Sequence, residues 1–294
     1  GKRRKEGPLN LDERREKILA QPSAMKQVYG PDQDPDHETV NGHHIVQGTD
    51  TWHMFYGAHP GGRNTITGHA TSDDLVVWTR QEPILKAGSP GDCDAQEIAD
   101  RAMVKHDGRW YMVYQCTPAL GASRRFAMAA SDDLWNWEKM PGDGSHIFTP
   151  HPGWSGWTEE GVTEMKDPCI IPYENQFVMY FVSQNRWGDA CIAVATSEDL
   201  YHWDDHGPMM IVHRKEHPLQ GPSGFEVPKV VVRNGQYYIF VMDFWGLQYA
   251  VGDDPFHFGP WTVLGPWHAS LIFSDERDRW YITSAMRHFG KPST

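Results

Sequence analysis

The sequence predicts an all-β protein, a five-bladed β-propeller that follows a short N-terminal helical extension. Three observations lead to this prediction. A turn motif recurs about every 60 residues, each copy follows two short apolar strands, and helical periodicity is absent after about residue 40. A strand-built repeat of this length is typical of propellers, in which each repeat forms one blade around a central channel.

The N-terminal part of the chain, residues 1–30, is predicted to be a tail and a short helix. The run 10–19 has a capping residue and i,i+4 charge pairs, both of which favour a helix. An acidic loop at residues 31–38 follows it. We expect the propeller to occupy residues 31–294.

The turn motif is Ser-Asp-Asp-Leu-Val-Val-Trp at residues 72–78. It returns as Ser-Asp-Asp-Leu-Trp-Asn-Trp at 131–137 and as Ser-Glu-Asp-Leu-Tyr-His-Trp at 197–203, and a decayed copy occupies 252–258. Ser and Asp side chains hold tight turns, and tryptophan can pack between blades. We therefore interpret the motif as structural.

The second strand of each repeat is rich in aromatic and β-branched residues, which are the residue types enriched in β-strands. Its five copies are Trp52–Tyr56, Trp110–Tyr114, Phe177–Phe181, Tyr237–Phe240 and Trp280–Thr283. The fourth copy belongs to the clearest hairpin, in which Asn234-Gly235 joins two strands. Five second strands predict five blades.

Equivalent positions on the innermost strands of a propeller converge on its channel. Counting back from the second strand of each blade puts one residue of every blade in a row: Asn41, Asp100, Asp167, Glu226 or Val227, and His268. Carboxylates that share a partly dry site raise one another's pKa, which separates an acid from a base. Glycoside hydrolysis needs such a pair. The alternative is that these acids cap strand ends or bind a channel ion.

Four stretches resemble motifs of the five-bladed propeller glycosidases, the superfamily that holds glycoside hydrolase families 43, 62, 32 and 68. Residues 68–78 are similar to the first-blade signature of family 32, and Lys166-Asp167-Pro168 resembles the Arg-Asp-Pro of that family. Phe225-Glu226-Val227-Pro228 resembles the Glu-x-Pro of families 32 and 43. Trp267-His268-Ala269-Ser270 resembles the Gly-His-Ala-Ser of family 43.

The resemblance implies roles for two of the acids. Glu226 would be the general acid. Asp167 would tune the pKa of that acid and orient the sugar, or stabilise an oxocarbenium-like transition state. The related families carry a further acid in blade one, where this chain has Glu38-Thr39-Val40-Asn41-Gly42.

Three explanations for the missing blade-one acid stay open. Asp100, which is in register with Asp167, is the one we favour as the base that activates water. Alternatively Asp36 or Glu38 folds back from the acidic loop into the channel, or the ordinary hydrolytic step has been lost.

Five further residues are candidates for substrate binding: Asn41, Arg186, Trp187, Trp245 and His268. Packing between blades is the alternative role of Arg186 and the two tryptophans. The resemblance to family 43 also implies a calcium ion or a water in the channel near His268. We expect no required cofactor and no other metal site.

Together these observations predict a glycosidase. Its single-domain organisation would resemble that of family 43. We expect exo-action on a furanoside or pentopyranoside, with inversion through a bound water. A non-catalytic carbohydrate-binding propeller, a retaining fructosidase-like enzyme and a phosphorolytic or transferring enzyme of related fold are the alternatives.

Composition and charge restrict the partners. The net charge of −12, from 39 acidic and 27 basic residues, argues against a nucleic-acid-binding surface. No apolar run approaches the roughly 18 residues that span a membrane. We expect a soluble protein whose partner is an oligosaccharide or glycoside. No signal peptide is visible, and the compartment and the oligomeric state stay open.

Overall fold

A computed structural model of the protein describes residues 28–30, 33–34, 40–60, 63–212, 226–243, 246–265, 271–275, 277 and 279–283. Within these ranges the chain forms four four-stranded antiparallel sheets and one two-stranded sheet, with a single short helix. The all-β class is therefore confirmed. The helix predicted at residues 10–19 lies outside the described residues.

Each four-stranded sheet is one blade, and its strands follow one another from the channel outward. Blade I contains β1 (Val40–Gln47), β2 (Trp52–Ala58), β3 (Ile66–Ser72) and β4 (Thr79–Lys86). Blade II contains β5 (Glu97–His106), β6 (Arg109–Thr117), β7 (Arg125–Ser131) and β8 (Glu138–Met140). The helix α1 (Pro152–Ser155) then precedes blade III, which contains β9 (Met165–Tyr173), β10 (Gln176–Gln184), β11 (Ala190–Ser197) and β12 (Asp204–Val212). Blade IV contains β13 (Glu226–Arg233), β14 (Gln236–Asp243), β15 (Gly246–Gly252) and β16 (Thr262–Gly265), and the two described strands of blade V are β17 (Leu271–Ser274) and β18 (Trp280–Thr283).

The blades close into a ring through their apolar faces. Successive residues of a strand point to opposite faces of its sheet, so in β10 Phe177, Met179 and Phe181 pack towards blade II while Val178 and Tyr180 pack towards blade IV. Equivalent clusters of described residues lie at the other blade interfaces.

Blade V completes the circle in the same way. Leu271 packs with Ile45 and Met54 of blade I, and Ile272 packs with Tyr238 and Phe240 of blade IV. The fifth repeat therefore sits between the fourth and the first. This arrangement brings the innermost strands of all five blades around one channel.

The repeated turn is a structural device, as predicted. In the blade II copy the hydroxyl of Ser131 accepts a hydrogen bond from the amide of Leu134 at 2.9 Å, and Leu134 adopts a left-handed φ of 69°. The carboxylate of Asp133 accepts from the next two amides, and the indole of Trp137 donates to the carbonyl of Leu134 at 3.1 Å. The blade I and blade III copies repeat these bonds.

The acidic loop before blade I is anchored to that blade. Asp34 is fully buried, accepts a hydrogen bond from the hydroxyl of Tyr56 at 2.5 Å, and lies 3.1 Å from Nε of Arg80. The hydroxyl of Tyr29 lies 2.9 Å from that of Tyr56. Residues 28–34, as far as they are described, therefore pack on blade I.

Two further findings on the described ranges concern membrane-spanning helices and cysteines. None of the helices there has the length and apolarity that a membrane crossing requires. The four cysteines are buried and carry free thiols.

Candidate active site

A β-bulge interrupts the innermost strand at the same level in each of blades I to IV. In blade II Ala99 pairs with Gln115 and Arg101 pairs with Tyr114, so Asp100 is the extra residue. Equivalent breaks lie between Asn41 and His44, between Lys166 and Cys169, and between Glu226 and Lys229. Bulges re-aim side chains and are common beside active sites.

The bulges set the register around the channel. Asp100 and Asp167 occupy matching positions, as the sequence predicts, and the corresponding residues of blades I and IV are Gly42 and Val227. Three of these four have a left-handed φ, 51° at Gly42 and 53° at Asp167 and Val227.

Asn41 and Glu226 lie one position before this row, so Val227 is the correct one of the two blade IV alternatives. They match Ala99 of blade II and Lys166 of blade III, on the side of the bulge towards the strand start. A count of ten residues back from Trp52 reaches Gly42, because Gln47 pairs with Trp52 over the same span as Lys105 with Trp110. The prediction of Asn41 assumed a longer turn in blade I and is wrong by one residue.

The carboxyl group of Asp100 lies against the backbone of Gly42. A Cβ atom at Gly42 would stand 2.6 Å from Oδ1 of Asp100, and the φ of 51° at this position also favours glycine. Burial, and secondarily the negative charge of Asp167, raises the pKa of Asp100 to about 7. Arg101 and the neighbouring lysines oppose this rise. Asp100 can therefore exchange a proton near neutral pH.

Asp167 is held by the neighbouring blade. Its side chain is buried, and Oδ2 accepts a hydrogen bond from the backbone amide of Val227 at 3.0 Å. The bulge residue of blade IV thus donates to the bulge carboxylate of blade III.

Glu226 is paired with a lysine of blade III. Nζ of Lys166 donates to Oε1 of Glu226 at 2.9 Å and stands 3.9 Å from Oδ2 of Asp167. Burial alone would lower the pKa of Lys166, but the nearby carboxylates of Asp167 and Glu226 raise it. The lysine therefore stays charged and joins two acids of adjacent blades.

Asn41 lies on the same level as this ion pair. Its Oδ1 is 3.0 Å from Nε2 of His59, at the end of β2. A Cβ at Gly57 would meet the Oδ1 atoms of Asn41 and Asn64 at 2.7 and 2.6 Å. These polar groups occupy the blade I side of the channel entrance.

Of the four remaining substrate-binding candidates, the structure describes only Arg186 and Trp187. Arg186 and Trp187 follow β10 at the end of the blade that carries Lys166, with the guanidinium 4.5 Å from the indole centre. Trp187 is 70% exposed and can offer a face to a ligand. Trp245 and His268 lie outside the described residues, as do Asp36 and Glu38, the alternative bases.

Among the described residues, no group of three or more His, Cys, Asp or Glu side chains is arranged to hold a metal ion. The expected calcium or water near His268 stays a prediction.

The sequence does not indicate the contacts of two groups at this site. Lys166 stands in Lys-Asp-Pro, but its bond to Glu226 depends on the packing of two blades. His59 follows the second strand of blade I, and nothing in its local sequence indicates contact with Asn41. Chemically, the site combines a group that titrates near pH 7 with an ion-paired carboxylate, which suits acid–base catalysis.

Comparison with known proteins agrees with this fold. The family profile of the glycosyl hydrolases family 32 N-terminal domain matches residues 40–253. Among solved structures, a thermostable family-43 glycoside hydrolase superposes with a TM-score of 0.57 at 15% identity, covering 76% of this chain and 70% of that one.

Two further structures share the fold. A family 117 glycoside hydrolase of the marine bacterium Zobellia galactanivorans has a TM-score of 0.66 at 13% identity, over 86% of this chain and 78% of that one. Fructan 1-exohydrolase IIa from Cichorium intybus has a TM-score of 0.57 at 16% identity, over 74% of this chain but 42% of that one.

Proposed function

Because the chain belongs to the family of the glycosyl hydrolase family 32 N-terminal domain and is a glycosidase, we propose that it releases terminal furanoside or pentopyranoside residues by acid–base catalysis at the channel mouth. The observation that carries the proposal is the set of three carboxyl groups on adjacent blades. Asp100 has a pKa near 7, whereas Asp167 and Glu226 share one lysine ammonium.

In this proposal Glu226 protonates the leaving oxygen. It lies nearest the strand start among the three acids and is partly exposed, with 43% of its side chain accessible. A general acid must reach the glycosidic oxygen of a bound substrate. Lys166 holds the carboxyl group in place between turnovers, when Glu226 regains from solvent the proton that it gave to the leaving oxygen.

Asp100 acts as the base. Above its pKa the carboxylate accepts a proton from water, and that water attacks the anomeric carbon. The carboxylate of Asp167 lies beside the sugar ring and stabilises the positive charge of an oxocarbenium-like transition state. Inversion follows from attack by water rather than by a carboxylate.

The test is turnover of a panel of aryl furanosides and pentopyranosides, with oligosaccharides of the same sugars as second substrates. Exo-action releases monosaccharide from the first minutes of reaction, whereas endo-action releases a ladder of oligomers. NMR of the first product gives its anomeric configuration. Binding of these compounds without any turnover would instead support the non-catalytic carbohydrate-binding propeller.

A further inference from the structure

A second pair of carboxyl groups lies closer to the channel mouth than Asp100 and Asp167. Glu97 begins β5 and stands three residues before Asp100, and Glu164 directly precedes β9 and stands three residues before Asp167. Because a strand rises about 3.3 Å per residue, each glutamate lies about 10 Å along the strand from the bulge acid of its own blade. The next sugar of an oligosaccharide bound at Asp100 would therefore reach the level of the second pair.

One guanidinium joins the two glutamates. Arg124, directly before β7, donates from Nη1 to Oε2 of Glu164, and its Nε lies 3.7 Å from Oε2 of Glu97. The contact with Glu97 is an ion pair but is too long for a hydrogen bond, so Nε can still donate to another acceptor. Arg124 thus links the rims of blades II and III and keeps a donor there.

The two carboxyl groups keep acceptor oxygens in the same way. Nε2 of Gln115 donates to Oε2 of Glu97 at 3.2 Å, so both contacts of this carboxyl group involve one oxygen. Glu164 likewise meets Arg124 through Oε2. Within the described ranges, Oε1 of each glutamate has no hydrogen-bond partner and can accept a hydrogen bond from a hydroxyl group.

The cluster is accessible to a ligand and is fixed by its surroundings. Between 21% and 30% of each of its three side chains is exposed. The amide of Arg124 donates to the carbonyl of Thr163 at 3.4 Å, and the carbonyl of Arg124 accepts from the indole of Trp157 at 2.9 Å. Groups that are held in place before binding lose less entropy when a ligand binds.

Gln115 supports Glu97 from the interior. It is 1% exposed, and its Oε1 is buried without a hydrogen-bond partner among the described residues. An unsatisfied buried amide oxygen destabilises the folded state. Positioning of the Glu97 carboxyl group therefore explains a buried glutamine here better than stability does.

We propose that Glu97, Arg124 and Glu164 bind the sugar on the leaving-group side of the scissile bond, and that this sugar is neutral. This assignment rests on the proposed function, in which the terminal sugar lies beside Asp100. Two acceptor oxygens and a guanidinium donor suit a unit that carries several hydroxyl groups. Two carboxyl groups face one guanidinium, so the cluster has one acidic group in excess and disfavours a uronic acid at this position.

The experiment measures binding by titration calorimetry on the intact chain, in the slow variant Glu226→Gln so that the ligands persist. The ligands are arabinose with arabinotriose, and xylose with xylotriose. At least one trisaccharide should bind more tightly than its monosaccharide. Adding Glu97→Gln should weaken that trisaccharide about 10-fold, because a neutral amide replaces the carboxylate acceptor, and leave the monosaccharide unchanged. Adding Glu138→Gln, which is paired with Arg109 at the opposite end of blade II, should change neither affinity.

The preference for a neutral sugar has its own comparison. A trisaccharide with a uronic acid as its second unit should bind the Glu226→Gln protein more weakly than the neutral trisaccharide. Adding Glu164→Gln removes the acidic excess and should narrow this difference. An acidic trisaccharide that binds as tightly as the neutral one would overturn the preference.

Equal losses on the trisaccharide and its monosaccharide in the Glu97→Gln protein, or no loss on either, would overturn the assignment. Trisaccharides that bind no more tightly than their monosaccharides would also overturn it. If Glu97→Gln prevents folding, Glu164→Gln must show the same loss on the trisaccharide alone. None of these outcomes decides the proposed catalysis, which turnover of the aryl glycosides by the unsubstituted protein tests separately.

Discussion

Lys166 of blade III donates a hydrogen bond to Glu226 of blade IV, with Nζ 2.9 Å from Oε1. The two residues occupy the same position relative to their bulges, on adjacent innermost strands. The pair therefore links the proposed general acid to the backbone position next to Asp167. It gives the lysine a positioning role that can be tested separately from the chemistry.

Replacing Lys166 with Met should lower kcat and shift the pH profile. The ammonium group of Lys166 favours the ionised form of Asp100, so its loss raises the pKa of Asp100. The acid limb of kcat/KM then moves to higher pH. Lys166→Arg should restore the limb in part, since it keeps the charge. A Met variant with reduced kcat and an unmoved limb would contradict this role.

Replacing Glu226 with Gln should reduce kcat about 10²–10⁴-fold on an oligosaccharide, the usual contribution of a general acid. An aryl glycoside with a highly acidic phenol needs little protonation, so its cleavage should be much less affected. Initial rates on the two substrates measure the difference. Glu82→Gln, an exposed carboxylate of β4, is the matched control. Equal losses on both substrates would rule out the acid role.

Asp100→Asn should lower kcat/KM about 10²–10⁴-fold and remove the acid limb of the pH profile. We expect that limb near pH 7 in the unsubstituted enzyme, where Asp100 titrates. The base must be ionised, so activity falls as the pH drops through that value. Asp50→Asn, exposed in the β1–β2 turn, should change neither quantity. Full activity of Asp100→Asn, together with inactive Asp36→Asn or Glu38→Gln, would assign the base to the acidic loop.

The same substitution has an expected effect on stability. The pKa of Asp100 is higher in the folded chain than its ordinary value of 3.8, so the folded state favours the protonated form. The stability that this group contributes is present at low pH and is lost as the pH rises through about 7. Asn cannot ionise. Thermal midpoints at pH 5 and pH 8 should therefore differ less in Asp100→Asn than in the parent protein.

The sequence was sufficient to predict the repeated turn and the shared register of Asp100 and Asp167. The Ser131 and Leu134 positions identify a turn because their hydrogen bonds are local, and Asp100 and Asp167 fall in register because their blades have hairpins of equal length. Local chemistry and constant spacing are visible in a single sequence.

Contacts between blades cannot be predicted from a single sequence, because they depend on how separate sheets pack. Examples are the bond between Lys166 and Glu226 and the close approach of Asp100 to Gly42. The sequence also left Glu226 and Val227 as alternatives for the row, and the strand pairing around the bulge places Val227 there. These features require the three-dimensional arrangement.

Trp187→Ala should raise KM about 2–10-fold and leave kcat nearly unchanged, if its exposed face stacks on a sugar ring of the substrate. The residue is 70% exposed at the channel-mouth end of blade III. Trp135→Ala is the control, because that indole is 46% exposed but lies in the turn at the opposite end of its blade. Steady-state kinetics on a trisaccharide and an aryl monoglycoside separate the outcomes. If both variants leave KM unchanged on both substrates, Trp187 does not bind sugar and only supports Arg186.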